Sequence, residues 1–166
     1  MARETEKDFN AMLRDPRGMP RIQTVTDERT RQRYGGSTML LAPPADYDAV
    51  MRLVPPGRLV TAGMIRDFLA RRAEADFTDP MTAGIFVSIA AWASFQRHGV
   101  DETPWWRTLK AHGELNEKYP GGADEQRIRL EAEGHSIVRR GRTNVRLYVR
   151  DYESALFDLG QEPVGE

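Results

Sequence analysis

Proline and glycine residues divide the stretch from residue 104 to residue 134 at fixed places, and this division limits what the chain can form there. Pro104 fixes a rigid start for a short extended run over residues 107–110. Gly113 predicts a tight turn, and Pro120 with the two glycines after it ends the run. The stretch therefore predicts short elements first and a longer element only after residue 122.

The predicted longer element is a helix that begins near Ala123. Ile128, Leu130 and Ala132 alternate with charged residues, a pattern that would also suit a strand. The acidic first turn and Gly134 after the last apolar residue are start and stop signals of a helix. These signals favour the helix.

The same stretch resembles the DNA-binding domain of the O6-alkylguanine-DNA alkyltransferases. Members of that family carry a Pro-Cys-His-Arg active-site strand, a glycine turn, a Tyr-Ser-Gly-Gly-like lip and a helix ending in Leu-x-x-Glu-Gly. Here residues 104–107 read Pro-Trp-Trp-Arg, residues 119–122 read Tyr-Pro-Gly-Gly and residues 130–134 read Leu-Glu-Ala-Glu-Gly. Upstream, residues 54–65 resemble the start of the family's first DNA-side helix. The resemblance covers residues 47–138 and rests on two separated blocks in the right order.

The residues that carry the family's chemistry are replaced. The position of its alkyl-accepting cysteine holds Trp105, that of its histidine holds Trp106, and only its glutamate remains, as Glu133. The chain contains no cysteine at all. Alkyl transfer needs a thiolate activated by a neighbouring base, and an indole ring does not replace it. The resemblance therefore implies a protein that is not an enzyme, in which Glu133 can pair with Arg107.

A non-catalytic subgroup, the alkyltransferase-like proteins, often replaces this cysteine by tryptophan and keeps base flipping and damage binding. Trp105 fits that subgroup, but its members usually retain the histidine that Trp106 replaces. Ala62 stands where the family has a tyrosine that helps to rotate the target nucleotide. The arginine that enters the vacated base stack is also missing, since residues 81–84 read Met-Thr-Ala-Gly. Flipping costs a few kcal/mol, which is harder to offset without these side chains.

Length and composition limit the class of protein. The 166 residues suit one domain with an extension, and we predict an extension over 1–45, a domain over 46–160 and a tail over 161–166. No apolar run approaches the roughly 18 residues that span a bilayer, and the charged first residues do not form a signal peptide. The three histidines show no metal spacing. We expect a cytoplasmic protein without cofactor or membrane association.

A long apolar helix is predicted from Pro80 to about Arg97, capped by Thr78 or Asp79. Three large residues at helical spacing would face the core: Ile85, Ile89 and Trp92. Small residues form a separate stripe: Gly84, Ser88 and Ala91. The resemblance implies that such a helix enters the minor groove of DNA, and the alternative is a buried core helix.

The other elements are predicted from caps and periodicity. Asp46 would cap a helix from Tyr47, and Thr61 a helix over residues 62–74. The extension holds a short helical stripe at residues 9–13 and strands over 21–26 and 39–41, and it either packs on the domain as a clamp or forms a basic arm around Arg29, Arg31 and Arg33. Strands over 136–138 and 145–149 are joined by an arginine-rich turn, and a short helix follows over 151–159.

Two sets of site residues follow from the resemblance. The predicted pocket comprises Trp105, Trp106, Arg107, Tyr119 and Glu133, with Trp105 as floor and Tyr119 as lip. Trp105 and Trp106 would point to opposite faces of a strand, so that only one of them lines the pocket. The predicted DNA contacts are Thr61, Ala62, Gly84, Ser88, Ala91, Arg97, His112, Arg139, Arg140 and Arg142. The arginines form either a phosphate-contacting wing or a solvated hairpin.

The resemblance implies an α+β fold, mainly α, of the winged-helix (helix-turn-helix) type. The first functional hypothesis is a protein that binds double-stranded DNA, recognises modified or distorted bases without alkyl transfer, and works with a repair protein. The second is a winged-helix module that binds protein or non-specific DNA and has lost base recognition. A hydrolytic enzyme such as a glycosylase, with Glu133 or Asp101 as base, is the third, and no residue spacing supports it.

Overall fold

The structure, a computed structural model, describes residues 7–161, so residues 1–6 and the predicted tail from residue 162 lie outside the described residues. Its helices are α1 (Phe9–Arg14), α2 (Glu28–Tyr34), α3 (Pro44–Met51), α4 (Ala62–Arg72), α5 (Pro80–Gln96) and α6 (Gly122–Ala132). Its strands are β1 (Arg21–Thr24), β2 (Thr38–Leu41), β3 (Val60–Thr61), β4 (Phe77–Thr78), β5 (Thr108–Leu109), β6 (Ile137–Arg140) and β7 (Arg146–Val149). Short 3₁₀ turns occupy Trp105–Arg107, Ala111–Gly113, Tyr152–Ala155 and Leu159–Gln161. The fold is therefore a mixture of helices and small sheets.

Side-chain caps begin the two central helices where the sequence predicts them. The Thr61 hydroxyl accepts a hydrogen bond from the Met64 N–H, and α4 starts at the next residue. An Asp79 carboxylate oxygen accepts one from the Met81 N–H, and Pro80 takes the first position of α5. Only a turn and β4 separate the two helices, so α4 and α5 follow each other closely.

The helix before them begins earlier than predicted. α3 starts at Pro44, so Asp46 lies in its first turn and does not cap it. A proline at the first helical position has the right φ and lacks only an N–H that would be unpaired there, which lets the helix start without a side-chain cap. The apolar residues in and just after this helix are buried: Val50, Met51 and Val54.

Residues 7–45 pack onto the rest of the chain mainly through α1 and β2. β2 pairs with β1 in antiparallel and with β4 in parallel, where Met39 lies opposite Phe77. α1 packs against α5, and the Phe9 N–H donates a hydrogen bond of 2.9 Å to Gln96 Oε1. This packing matches the clamp alternative, while the boundary between residues 45 and 46 stays a prediction.

α5 lies at the centre of the core. Its buried residues form one face of the helix: Ala83, Phe86, Val87, Ile89, Ala90, Ala91, Ala93 and Ser94. This face packs against α1, α3 and α4, and the ring of Tyr47 from α3 meets the ring of Phe86 edge-on at 5.8 Å. Burying a large apolar side chain stabilises a fold by about 1.5–3 kcal/mol, so α5 contributes much of the stability.

Two further small sheets of two strands each lie after α3 in the chain. β3 pairs with β5 in parallel, and β6 with β7 in antiparallel, which confirms the two strands predicted around the arginine-rich turn. The helix predicted over residues 151–159 is wrong. Leu59 bonds to both sides of that segment, donating its N–H to the Ala155 carbonyl and accepting from the Phe157 N–H, so only 3₁₀ turns remain. No helix within residues 7–161 combines the length and the apolar character needed to cross a bilayer.

Candidate nucleic-acid interface

The Pro-Trp-Trp-Arg motif forms a 3₁₀ turn and not a strand up to Arg107. Trp105 is 1% exposed and Trp106 is 8% exposed, and their rings meet edge-on at 5.7 Å. The prediction that they point to opposite faces is therefore wrong. Successive side chains in a 3₁₀ turn are about 120° apart, so both indoles can enter the core from one side.

Arginine side chains cover both indole rings. The Arg129 guanidinium lies 5.1 Å from the ring centroid of Trp105 and 4.7 Å from that of Trp106. The Arg107 guanidinium lies 5.1 Å from the Trp106 ring. All three distances fall within the range of attractive cation–π contacts, so the two cations and the two rings form one packed cluster.

Glu133 closes this cluster with hydrogen bonds to three residues. Arg107 donates from Nε at 3.0 Å and from Nη2 at 2.6 Å, which confirms the predicted pairing. Trp106 Nε1 donates at 3.0 Å and the Gly57 N–H at 3.1 Å. Burial raises the pKa of Glu133, but these donors outweigh it, and the net pKa lies below the usual value. Glu133 is thus an anion fixed in place.

Tyr119 is a core residue and not an exposed lip. Its hydroxyl donates a hydrogen bond of 3.0 Å to the Thr108 carbonyl, and its ring meets that of Trp105 edge-on at 5.4 Å. Burial raises the pKa of the Tyr119 phenol. The structure therefore brings the five predicted pocket residues together, but Trp105 and Tyr119, expected as floor and lip, are enclosed by packing.

The exposed face of α5 carries no charged residue along its length. Met81 is 79% exposed, Ile85 is 58% exposed and Phe95 is 48% exposed. Ile85 was predicted to face the core and Ala91 to lie on the small stripe, and both expectations are wrong, since Ala91 is buried. α1, α3 and α4 pack against the face of α5 that contains Ala83, Phe86 and Ala90. Ile85 lies outside this face.

A groove of about 470 Å³ runs beside this exposed face. We call it the lysine groove, and its lining includes Lys7, Gly84, Ile85, Ser88, Lys110 and Lys118. Two predicted contact residues, Gly84 and Ser88, therefore lie in it. The others at helix starts lie elsewhere: Thr61 caps α4 with its hydroxyl, and Ala62 is the half-buried first residue of that helix.

The β6–β7 hairpin presents five exposed arginines: Arg139, Arg140, Arg142, Arg146 and Arg150. Arg140 covers the Tyr148 ring at 4.7 Å, and Arg146 lies 3.6 Å from a Glu114 carboxylate oxygen. The hairpin is attached to the lysine groove through one segment, because the Leu115 N–H donates to the Leu147 carbonyl while Lys110 and Lys118 line the groove.

The two remaining predicted DNA contacts, Arg97 and His112, lie in different surroundings. The Arg97 guanidinium is half-buried and donates to Asn10 Oδ1, to the Asp101 carbonyl and to Thr103 Oγ1, so it holds the end of α5 in place. His112 is exposed in a tight turn with a φ of 64°. Within the described residues no group of histidine and carboxylate side chains could hold a metal ion.

Sequence reasoning missed the residues that border the α5 face. Lys110 and Lys118 lie far from α5 in the chain and reach it only because the segment between β5 and α6 folds back. Their signal was weak, since single lysines in a loop are common on any surface. In the sequence, position 81 stands out only because it lacks the expected arginine. The exposed apolar side chain of Met81 is itself unusual.

Comparison with known proteins gives a limited picture. No protein-family model matches the sequence, and no curated protein does. Among solved structures, the crystal structure of S. pombe Atl1 in complex with damaged DNA containing O6-carboxymethylguanine is similar, with 18% identity and a TM-score of 0.48. The match covers 69% of this chain and 94% of that one. These values describe a partial likeness of fold.

Proposed function

We propose that this protein binds double-stranded DNA and recognises distorted or modified bases without transferring an alkyl group. The single observation that carries the proposal is the uncharged exposed face of α5, bordered by a groove that holds Lys110 and Lys118. The sequence resemblance to the alkyltransferases points to the same helix.

Charge distribution supports a nucleic-acid partner. The net charge is −1, so attraction to DNA depends on local clusters and not on the whole surface. The arginines of the β6–β7 hairpin provide one such cluster, in which Arg139, Arg142 and Arg150 form no ion pair within the described residues. Arginines and lysines that contact phosphates provide most of the affinity in DNA binding and position the protein on the duplex.

The cluster around Trp105 supports the absence of alkyl transfer. The chain has no cysteine, and the position that would hold one is enclosed by Tyr119, Trp106 and Arg129. Glu133 is bonded to Arg107 and is not available as a base. Asp101, the other candidate base of the hydrolytic alternative, is also engaged, because its Oδ1 lies 2.7 Å from Nη1 of Arg52.

In this proposal the chain is a winged helix. α4 and α5 are the two helices of a helix-turn-helix pair, α5 is the helix that meets DNA, and the β6–β7 hairpin is the wing. The order of these elements along the chain and the short connection between α4 and α5 support this assignment.

Exposed apolar residues favour a second candidate function, binding to another protein. Met81, Ile85 and Phe95 are 79%, 58% and 48% exposed on one helix, and exposed apolar patches often mark sites of protein–protein interaction. In that case the partner would be a protein, such as a repair factor, and DNA binding would be weak or non-specific.

Fluorescence anisotropy with two matched duplexes tests the proposal, one plain and one containing a single O6-methylguanine. We expect binding to both, tighter binding to the modified duplex, and affinity that falls steeply as salt rises. Equal affinity for the two duplexes would show that the protein does not recognise the modified base and binds DNA non-specifically. No binding at low salt would contradict the proposal and favour the protein partner.

A further inference from the structure

Met81 stands between two grooves that both carry positive charge. It lines the lysine groove on one side of α5, and on the other side it lines a larger groove of about 820 Å³. We call the second one the arginine groove, because Arg29 and Arg33 of α2 are in its lining. Met81 is also the most exposed large apolar residue of α5.

α2 holds the two arginines in a defined position beside α5. Arg29 and Arg33 are four residues apart, so they share one face of the helix, and both are exposed. The ring of Tyr34 stacks on that of Phe77 at 5.1 Å, which fixes the end of α2 against β4. Neither arginine forms an ion pair within residues 7–161.

One carboxylate borders the arginine groove, and it has other partners. Asp79 accepts hydrogen bonds from the Met81 N–H at 3.0 Å and from Thr82 Oγ1 at 3.1 Å, as the cap of α5. On the other side, Lys118 is exposed, and Lys110 lies 3.6 Å from a Glu114 carboxylate oxygen. Each groove therefore keeps at least one exposed cation, Arg29 and Arg33 in the arginine groove and Lys118 in the lysine groove.

We propose that Met81 is an apolar wedge that enters between base pairs from the minor groove, with the arginine groove on one DNA strand and the lysine groove on the other. This inference rests on the proposed DNA binding and adds how the duplex is opened. Arg29 and Arg33 contact the phosphates of one strand, and Lys110 and Lys118 those of the opposite strand.

The composition of the α5 face points to the minor groove. Reading base pairs from the major groove requires side chains that form specific hydrogen bonds, and α5 around Met81 offers no charged or amide side chain, only hydroxyls such as that of Ser88. Proteins that bind the minor groove commonly insert Met, Ile, Leu, Phe or Pro between base steps and kink the duplex. Gly84 lies one turn after Met81 and has open space around it, since a Cβ atom there would meet nothing within 4 Å, so the helix backbone can approach the DNA closely.

The wedge is tested with the full chain and a duplex that carries 2-aminopurine, whose fluorescence rises when its base is unstacked. We expect the native protein to raise this fluorescence on binding. Met81→Ala should abolish the rise and weaken binding roughly tenfold, because an apolar contact with the bases is lost. Ile128→Ala is the matched control, because Ile128 is an exposed apolar residue of another helix, α6, and lines neither groove.

The phosphate contacts are tested by salt dependence with the same duplex. Replacing Arg29 and Arg33 together by alanine should reduce the slope of log affinity against log salt by about 2. Arg31→Ala is the control, because Arg31 lies on the same helix, pairs with Glu28 and does not line the groove. The fluorescence rise of the bound duplex should persist in both variants.

The outcomes separate this inference from the proposed function. If the native protein binds duplexes but Met81→Ala unstacks the bases as well as the native protein does, the wedge is wrong and DNA binding stands. An unchanged salt slope in the double arginine variant would show that Arg29 and Arg33 of α2 do not contact the phosphates. If the native protein binds no duplex, both proposals fall. Far-UV circular dichroism confirms that each exposed-residue variant remains folded.

Discussion

The side chain at position 105 decides what chemistry the protein can perform. Restoring the sulfur by Trp105→Cys places a thiol in the core behind Tyr119, with no base beside it, since Trp106 fills that place. We expect no transfer of label from a duplex containing labelled O6-methylguanine. We also expect a loss of stability of about 3–5 kcal/mol, because a large aromatic side chain leaves a cavity.

Label transfer and unfolding stability of Trp105→Cys both test whether the cluster around Trp105 is enclosed and well packed. Labelled protein on a denaturing gel would show that the site is open and keeps a base, against the geometry of Trp106 and Glu133. A variant as stable as the native protein in urea unfolding would show that the indole of Trp105 is poorly packed.

Glu133 makes the stability of the fold depend on pH in a defined direction. Its folded-state pKa lies below the usual value of 4.5, because the donors from Arg107, Trp106 and Gly57 outweigh the effect of burial. Its contribution is therefore complete above the unfolded pKa and is lost as pH falls through the folded pKa. Glu133→Gln should destabilise the native state by about 1–3 kcal/mol at neutral pH, since a guanidinium loses its anion.

Urea unfolding at several pH values measures this difference. The difference in unfolding free energy between the native sequence and Glu133→Gln should be constant above pH 5. It should shrink below about pH 4.5, because the Glu133 carboxyl takes up a proton in the unfolded chain before it does so in the folded state. Glu131→Gln, an exposed neighbour on α6, serves as control and should change little at any pH. A gap that does not narrow in acid would mean that Glu133 acts through packing and not through charge.

At the scale of single elements, local chemistry in the sequence identifies helix starts better than helix faces. Thr61, Asp79 and Pro80 predict the starts of α4 and α5, because a cap depends only on residues within one turn. Which side of α5 is buried depends on α1, α3 and α4, which lie elsewhere in the chain, so the inward placement of Ile85 failed. The Trp105–Arg107 segment was predicted as extended because a proline start fits a strand and a 3₁₀ turn equally well.

The exposed face of α5 can be blocked without disturbing the fold. A Cβ atom at Gly84 would meet nothing within 4 Å and the position is exposed, so Gly84→Gln should leave the fold intact and even stabilise it by about 0.5 kcal/mol through better helix propensity. The same side chain would hold the helix away from DNA, and we expect duplex affinity to fall by at least about tenfold.

Anisotropy titration and thermal unfolding of the same preparation measure both effects. Ile128→Gln puts the same side chain on an exposed position of another helix, α6, and should leave affinity nearly unchanged. If Gly84→Gln binds DNA with native affinity, the DNA contact lies away from this helix. The arginines of the β6–β7 hairpin would then be the candidate contact.

For the whole molecule, the arrangement of the elements could not be predicted from the sequence. The parallel pairs β2–β4 and β3–β5 are two residues long and join segments far apart in the chain, and such short pairs leave no periodic pattern. The antiparallel β6–β7 hairpin was predictable because its strands are adjacent in the chain. Residues 7–45 were the least defined by sequence, yet they supply α1 to the core and α2 to the arginine groove.

Because α1 belongs to the core, we expect the described chain to unfold as one cooperative unit. Phe9 is buried and stacks on Trp92 at 5.6 Å, and the Trp92 indole N–H donates to the Lys118 carbonyl beside the lysine groove. Phe9→Ala should lower the free energy of unfolding by about 3 kcal/mol, and tryptophan fluorescence and far-UV circular dichroism should report the same midpoint. Ile22→Ala in β1 removes an exposed side chain and should change stability by less than about 0.5 kcal/mol. Two separate transitions in the native protein, or a loss below about 1 kcal/mol in Phe9→Ala, would show that α1 is held only locally.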